Sequence, residues 1–241
     1  MKIVLETIPV WDSLKENKEC LLCSLMKKAE EDSVRYYLSS AIMTPEVRVE
    51  TNKVGFCPHH LNKLAFSGNP QSLALTLHTY YEENEKVFFS SFESIKKSKN
   101  YRNVKRSVEA FEKKAKEREK GCLICRRMSD REYRYTYTIA SLFTSDEDFR
   151  NAFLSSKGLC LYHTLETAKV DASISQEEKA TFLKELFNLL ERNLLRVKND
   201  DYWMTQKYKS ENQDKPWNGC EDAQKRAALK LIGEARIYEK E

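Results

Sequence analysis

The chain has 241 residues, a formal net charge of +4, and 41% hydrophobic, 11% aromatic and 32% charged residues. That much apolar content argues against a disordered chain, and the charge points to heavily charged polar faces. Six glycines and five prolines are too few for the turns of a mostly β protein, so a mostly helical one is expected.

The opening residues, 1–13, hold one lysine and a short apolar run broken by an acid and a proline, which is no secretory pattern. No run of 18 uncharged apolar residues follows, so no membrane span is expected and the expected location is cytoplasmic. In that compartment the seven cysteines should be thiols or metal ligands rather than disulfides.

Cys20-Leu21-Leu22-Cys23 recurs as Cys122-Leu123-Ile124-Cys125, an offset of 102, and Met26 and Met128 keep that offset. Gly55-Phe56-Cys57-Pro58-His59-His60 recurs as Gly158-Leu159-Cys160-Leu161-Tyr162-His163, an offset of 103. Each copy reads C-x2-C, a long gap, then C-x2-H. Six cysteines and two histidines in register indicate an internal duplication.

The segments between read as helices. Val34, Tyr37, Leu38, Ala41 and Ile42 form one helical face. Thr44-Pro45 reads as a cap with proline at the first helical position. Pro58 opens a short helix ending near Ser67-Gly68, and Asn69-Pro70 starts a long one with the stripe Leu73, Leu77, Tyr80, Tyr81, Phe88, Phe92 and Ile95. Residues 97–102 are the expected break between copies. Residues 96–120 carry eleven Lys or Arg against four Glu, which reads first as a solvated helix pair and second as a nucleic-acid or acidic-partner surface. In the second copy Ser175 and Glu178 form a capping box ahead of the stripe Leu183, Leu186, Phe187, Leu190, Leu194 and Val197. A tail follows Asp200, with a loop at 215–219 and a last helix over Glu221–Tyr238. Trp203, Trp217, Tyr202 and Tyr208 are expected to dock it.

The expected architecture is therefore an all-α, internally duplicated protein with a Cys3His knuckle in each copy. Residues 1–100 form the first repeat, 101–200 the second, and 201–241 a tail packed on them. Zinc takes Cys sulfur and His nitrogen in a tetrahedron, with ligands in short-spaced pairs. A helix out and back would group Cys20, Cys23, Cys57 and His60 at one ion, and Cys122, Cys125, Cys160 and His163 at another. The sequence does not separate this from an exchanged arrangement, the CxxC of one copy with the CxxH of the other. The repeat selects His60 over His59, whose counterpart is Tyr162. Four ligands and no vacancy describe a structural site, so two structural zinc ions are expected, with an iron–sulfur cluster as the lesser alternative.

A thioredoxin-like motif would need a βαβ setting, a c-type haem a histidine where Ser24 and Arg126 stand, and a di-iron bundle Glu-x-x-His pairs that are missing. Glu30, Glu31 and Asp32 read as a helical charge run, His78 as a half-buried helical histidine, and Cys220 as an incidental thiol in a polar tail. No glycine-rich phosphate loop, nucleophile elbow or HExxH occurs, so the reading leans away from an enzyme.

Residues 50–57, 75–79 and 157–163, with Lys215-Pro216-Trp217, Asp222-Ala223 and Arg226-Ala227, resemble a family of bacterial proteins of about this length. It is classed only as a domain of unknown function, and some members carry the label "ABC transporter substrate-binding protein". The resemblance spans essentially the whole chain and implies a cytoplasmic bacterial protein without an assigned activity. The functional expectation is a non-enzymatic, zinc-stabilised protein that binds a protein partner. A thiol and zinc redox or metal-responsive sensor is the alternative, and nucleic-acid binding through 96–120 is the weaker one.

Overall fold

A computed structural model describes residues 6–119, 121–172 and 174–234. Among them are eleven α-helices, two 3-10 turns and no strand. The helices are α1 (Thr7–Lys15), α2 (Leu21–Tyr37), α3 (Pro45–Val54), α4 (Pro58–Phe66), α5 (Pro70–Lys96), α6 (Tyr101–Glu119), α7 (Leu123–Ser145), α8 (Glu147–Ser155), α9 (Leu161–Ala168), α10 (Gln176–Lys207) and α11 (Ala223–Ile232).

The boundaries follow local chemistry. Prolines 45, 58 and 70 each open a helix, where a missing N–H costs nothing. Asn69 caps α5 by accepting from the Ser72 N–H, and Ser175 with Glu178 forms the expected capping box on α10. Two boundaries differ from the periodicity. The face from Val34 to Ile42 is buried as expected, but α2 stops at Tyr37 and a 3-10 turn, Ser40–Met43, carries Ala41 and Ile42 inward. The last helix starts at Ala223, two residues late, and ends at Ile232, because Gly233 takes φ +84°, which stops a helix. The rest of that expected helix, 235–238, lies outside the described residues.

The chain divides into two compact units, 1–28 with 130–241, and 29–129. Helices α2 and α7 contribute residues to both. In the first unit, Phe149 and Phe153 stack at 5.8 Å and are fully buried, with Trp11 edge-on to Phe149 at 5.3 Å. Phe143, Phe182, Leu186 and Leu189 extend this core. Trp203 donates its indole N–H to the Pro216 carbonyl and Tyr208 meets Trp217 edge-on, contacts that lie within residues 201–241, while Tyr202 and Tyr208 are both exposed. In the second unit the core is Val34, Tyr37, Leu38, Ala41, Leu64, Leu123 and Ile124. There α5 and α6 pair through Phe88, Phe92 and Phe111.

Two glycines set the approach to the cysteine motifs. Gly55 and Gly158 take φ +71° and +67°, a region costly for any residue with a Cβ. Their carbonyls accept the N–H groups of Leu123 and Leu21, respectively, at 3.2 Å. A Cβ at Gly158 would lie 3.0 Å from the Leu189 side chain, whereas one at Gly68, also at positive φ, would meet nothing within 4 Å. Gly158→Ala is therefore expected to cost about 2 kcal/mol or more and Gly68→Ala about 1. Equal losses in urea unfolding would remove the steric part of that argument.

Candidate metal centres

All seven cysteines are free thiols, and six of them gather with two histidines in two groups. Cys20, Cys23, Cys160 and His163 form one; Cys57, His60, Cys122 and Cys125 form the other. Each group lies wholly within one of the two units. The grouping is the exchanged one: the CxxC of each copy meets the CxxH of the other. The within-copy sites expected for residues 1–100 and 101–200 are not formed. The Leu21–Gly158 and Leu123–Gly55 backbone bonds are the physical reason, since each seats a CxxC turn against the distant CxxH turn.

Local structure presents the ligands. Cys20 and Cys122 directly precede α2 and α7, with Cys23 and Cys125 in the first turns. Cys57 and Cys160 are the N-caps of α4 and α9, and His60 and His163 lie one turn in. Two helix N-termini thus point at each group, where their partial positive charge favours thiolate. Backbone N–H groups add to this: those of Cys23 and Cys125 point at the sulfurs of Cys20 and Cys122 at 3.4 Å, and that of His163 at Cys160 at 3.5 Å.

In the first group His163 Nδ1 lies 3.4, 3.4 and 3.2 Å from the sulfurs of Cys20, Cys23 and Cys160, and the Cys23 and Cys160 sulfurs are 3.9 Å apart. In the second, His60 Nδ1 lies 3.3, 3.3 and 3.2 Å from Cys57, Cys122 and Cys125, and the Cys57 and Cys125 sulfurs are 3.7 Å apart. A tetrahedron with Zn–S of about 2.3 Å and Zn–N of about 2.0 Å has S–S edges near 3.8 Å and S–N edges near 3.5 Å. Within each group every ligand atom is within 4.8 Å of the others. One ion fits that space, whereas an iron–sulfur cluster spreads its ligands over separate irons.

The electrostatics also call for a cation. Burial, and then the neighbouring sulfurs, push the Cys20 thiol well up. Burial and the charge of Cys122 do the same to Cys125. Burial opposes ionisation of Cys122 too, but hydrogen bonds from His60 and the backbone of Cys125 and Cys57 hold it down to about 6. Burial works against the His60 and His163 imidazolium ions, yet the adjacent sulfurs raise both to about 10. Each group thus holds sulfurs that cannot all ionise together, a conflict that one divalent cation resolves by replacing the protons.

The two groups differ in access. All four residues of the first are buried, whereas Cys125 is exposed and Cys57 intermediate in the second. The turn after α11 covers the first: the Glu234 N–H points at the Cys23 sulfur at 3.3 Å. A Cβ on Gly233 would lie 3.4 Å from the Cys160 sulfur. Lys230, fully buried, anchors that turn by donating to the carbonyls of Glu19, Lys157 and Leu159. Arg196 and Lys230 both face the Glu19 carboxylate.

Several residues differ from their sequence reading. His60 is not one of them: it lies with the three cysteines as read, while His59 Nε2 meets Glu30 at 2.9 Å. His78 is exposed rather than half-buried, 3.5 Å from Glu82. Cys220, read as an incidental thiol, is buried, and burial pushes its ionisation up. Glu30 is more than part of a charge run. Its carboxylate reaches His59, His60 and Lys63, and although burial opposes the charge, those hydrogen bonds hold it down at about 2. Glu132, also 102 residues on, lies 3.5 Å from His163 Nε2. The signal that marks both is an acid seven residues after the second cysteine of each CxxC pair, at Glu30 and Glu132. Of the basic stretch, most lies on α6, where Lys105 and Lys116 pair with Glu109 and Glu112 one turn away; Lys120 lies outside the described residues. No helix among the described residues is long and apolar enough to cross a membrane.

Among known families, the one described as a family of unknown function, DUF6062, matches residues 1–237. No curated protein and no solved structure matches the chain.

Proposed function

The chain belongs to the DUF6062 family, and we propose that it is a non-enzymatic, zinc-stabilised helical protein that serves as a scaffold for a protein partner. The observation behind this is the pair of four-ligand Cys3His groups. A catalytic zinc keeps a position for water or substrate; four protein ligands fill the tetrahedron. Zinc at these positions would tie the starts of α2 and α9 together in one unit and those of α4 and α7 in the other, so its binding energy would be folding energy. Such a protein acts in the cell by presenting a fixed helical surface. The test is metal analysis with thermal unfolding: two zinc ions per chain, and a melting temperature that collapses with a strong chelator, are expected. A metal-free chain with unchanged melting would end this reading.

A second reading, a thiol and zinc redox sensor, draws support from the exposure of Cys125. Hydrogen peroxide would oxidise the Cys125 thiolate to a sulfenic acid as its O–O bond breaks, and the Cys57 thiolate, 3.7 Å away, would displace the sulfenic hydroxyl. Their S–S bond forms, the peroxide leaves as two waters after taking up two protons, and the ion is released. Mild peroxide is expected to release one zinc of the two, with recovery on thiol reduction, because the first group is covered. Release of both together, or of neither, would count against a sensor built on the second site.

A further inference from the structure

We infer that Glu30 and Glu132 are positioning residues that select which nitrogen of His60 and His163 meets the metal. This rests on the zinc reading above and adds to it a defined ring orientation. In both groups the nitrogen facing the three sulfurs is Nδ1, at 3.2–3.4 Å. In both, Nε2 faces away from the sulfurs and toward a carboxylate, Glu30 Oε1 at 3.2 Å and Glu132 Oε1 at 3.5 Å. A neutral imidazole has one N–H. Placed on Nε2, it lies on the carboxylate side, 3.2 Å from Glu30 for His60 and at a looser 3.5 Å from Glu132 for His163, and leaves the Nδ1 lone pair for the ion. A ring turned by 180° about Cβ–Cγ would set Cδ2, which has no lone pair, among the sulfurs and Cε1 toward the glutamate, so the contact with the carboxylate favours the orientation that can bind the ion.

The two glutamates come from the helices that carry the CxxC pairs, two turns after them, so α2 supplies Cys23 to one group and Glu30 to the other. Likewise α7 supplies Cys125 to one and Glu132 to the other. Each of these helices therefore serves both sites, as a ligand donor and as a support. The rings are almost fully buried, so the orientation is not averaged by solvent: the His60 and His163 side chains are 7% and 5% exposed. Glu30 carries a further load from His59 and Lys63, which hold its carboxylate in place. Carboxylate partners of ligating histidines are worth about 10–100-fold in metal affinity.

The experiment uses the full zinc-loaded chain. Long-range 15N–1H spectra of the wild type are expected to show His60 and His163 as Nε2–H tautomers ligating through Nδ1, with the two Nε2 protons protected from exchange. Ligation through Nε2 would overturn the inference without any variant. Competition with a chromophoric chelator is then expected to show one of the two zinc ions bound about 10–100-fold more weakly in Glu132→Ala, and less so in Glu132→Gln, which keeps an acceptor oxygen. Glu30→Gln should weaken the other ion alone. Unchanged affinities in folded variants that hold two zinc ions would overturn the positioning role and leave the zinc reading standing. A wild type that holds no metal would remove both.

Discussion

Replacing Cys23 by serine is expected to remove one zinc ion and to lower the melting temperature by about 10 °C or more. Cys23 is 3% exposed, sits in the first turn of α2, and faces Cys160, His163 and the Glu234 N–H. Structural zinc contributes about 10–16 kcal/mol of apparent binding energy in small domains, all of it coupled to folding. Losing even about 4 kcal/mol of this would shift the melting point of a chain this size by about 8–16 °C. Cys125→Ser removes a ligand of equal type from the exposed group. It should also cost one zinc ion, with a smaller fall in melting temperature, since Cys125 is exposed and Cys57 only half-buried. Identical melting of both variants and the wild type, with metal content unchanged, would show the sulfurs to be core residues rather than ligands.

Lys230→Met is expected to destabilise the first unit by about 3–5 kcal/mol, a shift of about 6–20 °C. The ammonium group is fully buried and is shared by three carbonyls, those of Glu19, Lys157 and Leu159, and by the Glu19 carboxylate. Methionine fills the space of the stem but leaves those carbonyls without their donor, and a buried polar group without a partner costs about 1–3 kcal/mol each. Glu19 keeps Arg196, so the loss stays short of a fully unpaired buried charge. The carbonyls belong to the residues just before Cys20 and Cys160 and to the turn that carries Gly158, so the same variant should speed zinc loss from the first site. Loss of stability with no change in zinc off-rate would mean that the lysine only holds the chain together and does not brace the metal turns.

Much of this was legible in the sequence because it is written twice. The CxxC and CxxH pairs stand out by recurring in order, and the repeat alone separated His60 from His59. The helices announced themselves through proline at first positions and a complete capping box. What pairs with what was not legible. A spacing of 33 residues says that the chain returns, not which partner it meets, and the deciding contacts are two backbone hydrogen bonds between remote turns. Glu30 was hidden because an acid beside Glu31 and Asp32 on a helix normally reads as a solvated face; only its recurrence as Glu132 marks it. Lys230 was hidden for the same reason, since a lysine in a charged amphipathic helix gives no sign that three carbonyls surround it. The burial of Cys220 was not legible either, since a lone thiol in a polar tail gives no sign of where its side chain lies.

The most direct test of the central claim, that each CxxC shares one ion with the CxxH of the other copy, is the zinc stoichiometry of the wild type beside the double variant Cys57→Ser/Cys122→Ser. Both sulfurs belong to one group in the structure, so the wild type should hold two zinc ions and the variant one. A variant that is folded yet holds none would place Cys57 and Cys122 at different ions and contradict the exchanged pairing, and a wild type without metal would contradict the account as a whole.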